Sequence, residues 1–280
     1  MRYCVPMFKN FKYLNKVDEV TIPFDKSLEV FKTLLEKEKI LPTHRVIVEV
    51  ADSKSFQEDG IINVFLNLKE NHPDIHFTLM FAKYDNNQAE FFQELKTKEI
   101  EFFFSTYARD WDTFHGLINL GVSDIYIVEN LGFELDLLGP IAHASDVSIR
   151  VFANVCQSSW LKDGTFKSFF IRPEDVIVYD EYVDVIEFIG DKTVQEVMYK
   201  VYAIDQKWHG SLKQIIVGLE EDIDSHRIPQ AFAAARIGCG KRCSKGKRCK
   251  ICERIMETSD VMREHNMYFK IRKNNPVEEE

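Results

Sequence analysis

Two hydrophobic periods alternate along the first 190 residues. Short runs rich in β-branched and aromatic side chains occur at 17–23 (VDEVTIP), 45–50 (RVIVEV), 75–82 (IHFTLMFA), 101–106 (EFFFST), 124–128 (DIYIV), 148–153 (SIRVFA), 168–171 (SFFI) and 183–188 (VDVIEF). Their length and composition are those of strands. Between them, apolar residues recur three and four apart, the spacing of one helix face. Helices are expected at 27–39, with Ser27 as N-cap and Leu28, Phe31, Leu34 and Leu35 on one face, and at 60–71 and 87–98. Further ones are expected at 111–120, stopped by Gly121, at 133–145 in spite of Pro140, and at 173–180 with Pro173 in the first turn. Eight strands in βα alternation imply a parallel sheet, and eight such units suit a closed (β/α)8 barrel of the TIM type. An open doubly wound sheet is the alternative, but no glycine-rich phosphate loop follows the first strand.

Beyond Gly190 the pattern turns helical. Residues 193–208 carry one apolar stripe (Val194, Val197, Met198, Val201, Ile204), and 212–222 and 229–237 are further helical candidates. A cysteine-rich loop follows, then a helix from about Ile251 and a polar tail. The expected division is a barrel over 1–191 and a helical, metal-binding extension over 192–280.

Composition narrows the class. The chain has 280 residues, 45% hydrophobic and 29% charged, and a formal net charge of −9. That is the make-up of a folded domain, and the net acidity argues against a binder of nucleic acid over its whole surface. Six cysteines are too few for a disulfide scaffold. Neither a leader-like apolar segment near Met1 nor a run of about 18 apolar residues occurs, so a cytoplasmic protein with reduced thiols and no membrane contact is expected.

The strongest local signal is Cys239-x3-Cys243-x5-Cys249-x2-Cys252. Four thiols in one short loop, with glycines at 238, 240 and 246, can converge on one centre, and in a reducing compartment such clusters bind metal more often than they form disulfides. Zinc and an iron–sulfur cluster both accept four cysteines, and the spacing does not separate them. Four unligated thiols are the plainer alternative. Cys4 and Cys156 stand apart and read as small buried hydrophobes. The loop is also basic: eight Lys/Arg from Arg236 to Arg254 against Glu253 give +7, leaving −9 − 7 = −16 elsewhere. Such a knob is a candidate RNA contact through phosphates. Equally, its cations could balance metal-bound thiolates.

In a barrel of this type chemistry lies where the strands end. Polar residues at those positions are Asp52, Ser53, Lys83, Asp85, Thr106, Arg109, Asp110, Glu129, Asn130, Asn154, Gln157, Ser158, Arg172 and Asp191. Asp110, Asp191 and Ser53 precede helices and suit capping. Glu129, Asn154 and Arg172 directly follow apolar strands that would aim them into the mouth. They are the expected catalytic set, with Glu129 as acid or base, around a small-molecule ligand. No H-E-x-x-H, G-x-S-x-G or Walker-type loop occurs, so a zinc hydrolase of that kind or a serine hydrolase has no support.

Three stretches, 121–132 (GVSDIYIVENLG), 149–156 (IRVFANVC) and 169–175 (FFIRPED) with 183–190 (VDVIEFIG), resemble the collagenase-like peptidase U-32 family in motif and order. The resemblance spans about 101–191. It implies a TIM-like barrel. Several members are iron–sulfur proteins that assist hydroxylation of RNA bases or of a quinone precursor, which implies a cluster held by four cysteines. Family cysteines are spread over the second half, whereas here four are packed into 239–252 and Gln157-Ser158-Ser159-Trp160 follows the sixth strand. The expectation is therefore a metal-binding barrel, iron–sulfur or zinc, that acts on RNA or a small organic substrate. The alternative is a non-enzymatic, zinc-stabilised binding or assembly protein. A peptidase ranks last, since no nucleophile–base pair is visible.

Overall fold

In a computed structural model of the chain, residues 1–8, 10–24, 44–50, 60–84, 88–128, 131–156, 169–219, 222–229, 231–240 and 271–272 are described. Eight parallel strands close into a barrel in sequence order. They are β1 (Arg2–Pro6), β2 (Glu19–Pro23), β3 (Arg45–Val50), β4 (His76–Phe81), β5 (Phe102–Ala108), β6 (Asp124–Ile127), β7 (Ser148–Phe152) and β8 (Val185–Glu187). Closure comes from β1, which pairs with β2 through Cys4 and Glu19 and with β8 through Tyr3 and Ile186. The chain is a (β/α)8 barrel.

One strand differs from expectation. Of the run expected at 168–171, the described residues 169–171 are outside the sheet, and Arg2–Pro6 takes the eighth place. Phe169, Phe170 and Ile171 are nonetheless almost fully buried. They sit in the layer outside the barrel, where Phe169 packs edge-on against Phe133 and Tyr179. A short apolar run looks the same to the sequence whether it joins a sheet or fills the space beside one.

Helices pack outside the barrel: α1 (Ile61–Asn71), α2 (Ala89–Thr97), α3 (Trp111–Leu120), α4 (Leu135–Ala144), α5 (Val176–Tyr179), α6 (Lys192–Tyr199) and α7 (Ala231–Ile237). α1 and α2 bury apolar stripes, Ile61, Ile62, Phe65 and Leu68 in the first and Phe91, Phe92 and Leu95 in the second. In α6 and the turn after it the expected stripe is split: Met198 and Val201 are buried with Gln195, Tyr199 and Tyr202, while Val194, Val197 and Ile204 are exposed. Capping follows the sequence closely. Asp110 accepts from the Thr113 N–H (2.8 Å) to start α3, which Gly121 ends at φ 76°, and Asp191 accepts from the Val194 N–H (3.0 Å) to start α6.

The stretch after β8 belongs to the barrel wall. α6 runs into a wide turn, Lys200–Asp205, and this unit is tied to β1 and its neighbours by tyrosines. Tyr3 donates to Tyr202 O (3.0 Å), Tyr199 to Lys16 O (2.6 Å) and Tyr202 to Ile171 O (2.8 Å). A boundary at 191 therefore falls between β8 and its own helix. The helix expected at 212–222 is reduced to a 3₁₀ turn, Leu212–Gln214, and β9 (Asp222–Ile223) pairs antiparallel with β10 (Ile271–Arg272). Expected helices at 27–39 and from Ile251 lie outside the described residues, as does Ser53. Among the described residues, no helix is long and apolar enough to cross a membrane.

Candidate active site at the barrel mouth

Strand alternation sends every second residue into the barrel. Along β7 these are Ser148, Arg150 and Phe152. β3 contributes Arg45, Ile47 and Glu49, β2 contributes Glu19 and Thr21, β6 Asp124 and Tyr126, and β8 Val185 and Glu187. Barrel interiors are dominated by branched apolar residues. This one holds a buried ion cluster instead.

Arg150 is at its centre and fully buried. Its guanidinium reaches Glu19 (2.7 Å), Asp124 (2.8 Å) and Glu187 (2.6 Å). Arg45 binds Asp124 (2.7 Å) and Glu101 (3.0 Å) from the next layer, and Arg2 adds a bond to Glu19 (2.7 Å). Burial works against the charge on Asp124, yet Arg45 and Arg150 hold its carboxyl well below the usual carboxylate range. Burial, reinforced by Glu187, pushes both the Tyr126 phenol and the Cys4 thiol well above their ordinary values. Cys4, 3.4 Å from the Thr21 hydroxyl, is thus kept as a thiol and lacks the activation a nucleophile needs.

Above this cluster a cavity of about 420 Å³ opens where the strands end. Its walls are Thr21, Glu49, Met80, Ser105, Tyr107, Tyr126, Phe152 and Glu187, with Pro6, Met7, Pro23 and Phe188 completing the rim. An irregularity in β5 shapes one side: Phe104 pairs with Ile125 and Ala108 with Ile127, so four steps on β5 match two on β6. Bulges of this kind re-aim side chains beside functional sites. Here Ser105 and Tyr107 both reach the mouth. Glu187 joins cavity and ion cluster. Its Oε1 accepts from the Tyr126 hydroxyl (2.6 Å) and from Arg150 Nε (2.9 Å) and Nη2 (2.6 Å), while Oε2 takes no bond from a described residue. A carboxylate so held can exchange a proton with a ligand seated above it.

The expected catalytic residues are placed differently. Asn154 is fully buried as a clamp between strand ends: its Nδ2 donates to Ile189 O (2.9 Å) and its Oδ1 accepts from Ile189 N–H (2.8 Å). Arg172 is spent on a two-pronged pair with Asp175 (2.5 and 2.6 Å) and on the carbonyls of Ser225 (2.9 Å) and Ile228 (3.1 Å). Glu174 of the same RPED turn accepts from Trp208 N–H and from the Ser225 hydroxyl, both at 2.9 Å. That motif fastens the segment after residue 205 to the barrel. Neither Asn154 nor Arg172 lines the mouth cavity. Lys83 and Thr106 line a separate, largely apolar cavity of about 510 Å³ beside α3. Glu129 lies outside the described residues, with Asp52, Asp85, Asn130, Gln157 and Ser158.

Cys243, Cys249 and Cys252 also lie outside the described residues. Cys239 is half-buried in the turn after α7, where its N–H donates to Arg236 O (3.3 Å) and the Gly240 N–H donates to Phe133 O (2.8 Å). Phe133 belongs to the loop that follows β6, so Cys239 and Gly240 lie towards the face where the strands end. Among the described residues, no group of three His, Cys, Asp or Glu is arranged to hold a metal ion. One cation of the basic segment is internal: Arg236 is buried among Phe133, Phe170 and Phe232, its guanidinium 4.8 to 5.0 Å from each ring centre.

The cluster and cavity residues Glu19, Glu49, Asp124, Tyr126, Arg150 and Glu187 were legible in one respect. Parallel strands buried on both faces read as continuous apolar runs. RVIVEV, SIRVFA and VDVIEF instead each carry charge within an otherwise apolar run, Arg45 and Glu49 on one face of the first, Arg150 in the second and Asp184 and Glu187 in the third.

No family model matches the chain, and no curated protein matches it. Among solved structures, an open-form tryptophan synthase from M. tuberculosis with BRD0059 bound is similar over 81% of this chain and 82% of that one, at 10% identity and a TM-score of 0.37. The U34-tRNA thiolase NcsA from Methanococcus maripaludis, with its [4Fe-4S] cluster, is similar over 94% of this chain and 76% of that one, at 13% identity and a TM-score of 0.19. Scores this low transfer no property of either protein.

Proposed function

We propose that this chain is a (β/α)8 enzyme that takes a small organic molecule into the mouth cavity and moves a proton there through Glu187. The cluster of Glu187, Tyr126 and Arg150 at the cavity floor carries this reading. Buried ion pairs contribute little to stability and are often matched or bettered by apolar residues of similar volume. A barrel interior that keeps five charged side chains, Glu19, Arg45, Asp124, Arg150 and Glu187, is thus better explained by use than by stability. Tyr126 remains a phenol at neutral pH and fixes the Glu187 carboxylate, while Arg150 holds it from beneath.

The loop of Cys239, Cys243, Cys249 and Cys252 is assigned a metal in this proposal, iron–sulfur or zinc. The position of Cys239 towards the mouth face supports a place beside the substrate. The U-32 likeness of residues 101–191 supports the scaffold and adds no reaction. A second reading, a structural zinc stud on a non-enzymatic barrel, is favoured by one observation. Cys239 is half-buried and its neighbour Gly240 is pinned to Phe133. RNA contact through the remaining cations of the loop belongs to the same proposal.

Glu187→Gln tests the enzymatic reading. With candidate substrates found by thermal-shift screening of small metabolites, the variant should keep the wild-type circular dichroism spectrum and lose at least about 100-fold in turnover, the range for a positioned acid or base. Turnover within twofold of wild type would remove Glu187 from the chemistry.

A further inference from the structure

We infer that the ligand of the mouth cavity carries a positively charged nitrogen: an alkyl- or arylalkylamine or a guanidine. This rests on the reading that the mouth is the binding site, and it goes on to name the ligand class. Among the described residues, the lining contains two carboxylates, Glu49 and Glu187, and no Lys, Arg or His. Glu49 is exposed at the mouth and forms no ion pair among the described residues. One layer below, Glu19 and Asp124 add two more negative charges. The arginines below the mouth are already committed: Arg150 to Glu19, Asp124 and Glu187, Arg45 to Asp124 and Glu101, and Arg2 to Glu19. Counted from the mouth inward with these partners, five carboxylates (Glu49, Glu187, Glu19, Asp124 and Glu101) face three guanidinium groups. An anionic ligand would meet Glu49 and Glu187 with no cation among the described wall residues to offset them. A cationic one would find a partner in each, and a low-dielectric wall strengthens that attraction.

The aromatic wall has matching chemistry. Tyr126 and Phe152 stack nearly parallel, 4° apart with centroids at 5.4 Å, and Tyr107 stands edge-on to both at 5.9 and 6.2 Å. Ring faces attract organic cations, and more so where water is excluded. The barrel interior already uses this attraction, since the Arg150 guanidinium lies 5.0 Å from the Phe103 centroid and 5.6 Å from that of Tyr126. Met7, Met80 and the rim prolines provide a soft apolar surface for the body of the ligand. At about 420 Å³ the cavity falls in the range of small-molecule sites, roughly 300–1,000 Å³.

Titration calorimetry on the full chain with three isosteric probes tests the inference: phenethylamine, phenethyl alcohol and phenylacetate. Phenethylamine should bind at least about tenfold tighter than the alcohol, and phenylacetate more weakly than either. Glu49→Gln and Glu187→Gln should each remove most of the amine's advantage over the alcohol, and added salt should shrink it. Phenylacetate binding as well as the amine would overturn the charge assignment while leaving the mouth as the site. Ser105→Trp, which fills the cavity, separates the two readings: amine binding that survives it would place the ligand elsewhere and overturn both. Failure of all three probes to bind would overturn the inference as well, while turnover sensitive to Glu187→Gln would keep the mouth reading alive.

Discussion

Arg150 shows how one side chain sets the character of the interior. Its three carboxylate partners come from β2, β6 and β8, strands far apart in sequence, so one guanidinium cross-braces the barrel. Removing one member of a buried ion cluster leaves the others uncompensated, which costs about 3–5 kcal/mol. Arg150→Met should therefore lower the free energy of urea unfolding by roughly that amount at neutral pH. The loss should depend on pH with a defined sign. Asp124 has its carboxyl held below the ordinary value, so its pairing contributes fully above the unfolded value of about 4. The contribution is lost as pH falls from there through the folded value. The gap between wild type and Arg150→Met should accordingly be constant from pH 7 to about 5 and narrow below about 4. A gap that widens in acid would show that Arg150 is not serving these carboxylates. Capping at Asp110 and Asp191 was readable in advance, because a cap depends on residues within one turn of each other. The role of Arg150 was not, since none of its partners is its sequence neighbour.

At the scale of elements, long-range closure decided between two short apolar runs. Arg2–Pro6 carries an arginine and ends in proline, a weaker strand signal than Ser168-Phe-Phe-Ile171. Yet only a segment that can pair on both edges closes the barrel, and β1 bonds to both β2 and β8. Phe169 serves the outer layer instead, lying against the Gly132 backbone so closely that a Cβ there would enter its ring. Gly132→Ala should thus destabilise by about 1–3 kcal/mol through overpacking against a buried, rigid ring. Equilibrium unfolding in urea measures it, and a neutral result would mean that the turn Leu131–Phe133 can move away. The RPED turn follows the same logic. Its Arg172 resembles a site residue by position, but the partners of Arg172 and Glu174 at 225–228 arrive some fifty residues later and turn the motif into a fastening.

Across the whole molecule, the acidic average conceals a basic segment and an interior of mixed charge. The segment from Arg236 to Arg254 loses one of its eight cations to the protein interior, where Arg236 sits among three phenylalanines. The proposal that the four cysteines share one metal has a direct measurement. Protein purified without oxygen should contain either about four irons with matching sulfide and a brown colour, or one zinc and none, per chain. Cys243→Ser should lower the bound metal severalfold. A wild-type chain with neither metal would remove the loop from the site.

By itself the sequence determined the βα alternation, the closed (β/α)8 class, the buried faces of α1 and α2 and the caps at Asp110 and Asp191, because these depend on residues a few positions apart. Only the tertiary structure decided which run completes the barrel and that Asn154 and Arg172 bind the fold together. It alone also brought Glu19, Asp124, Arg150 and Glu187 together beneath one cavity. Those outcomes depend on pairing between strands separated by many tens of residues and on which face of each strand points inward. Local periodicity can report that two faces differ. Closure of the sheet settles which of them becomes the inside.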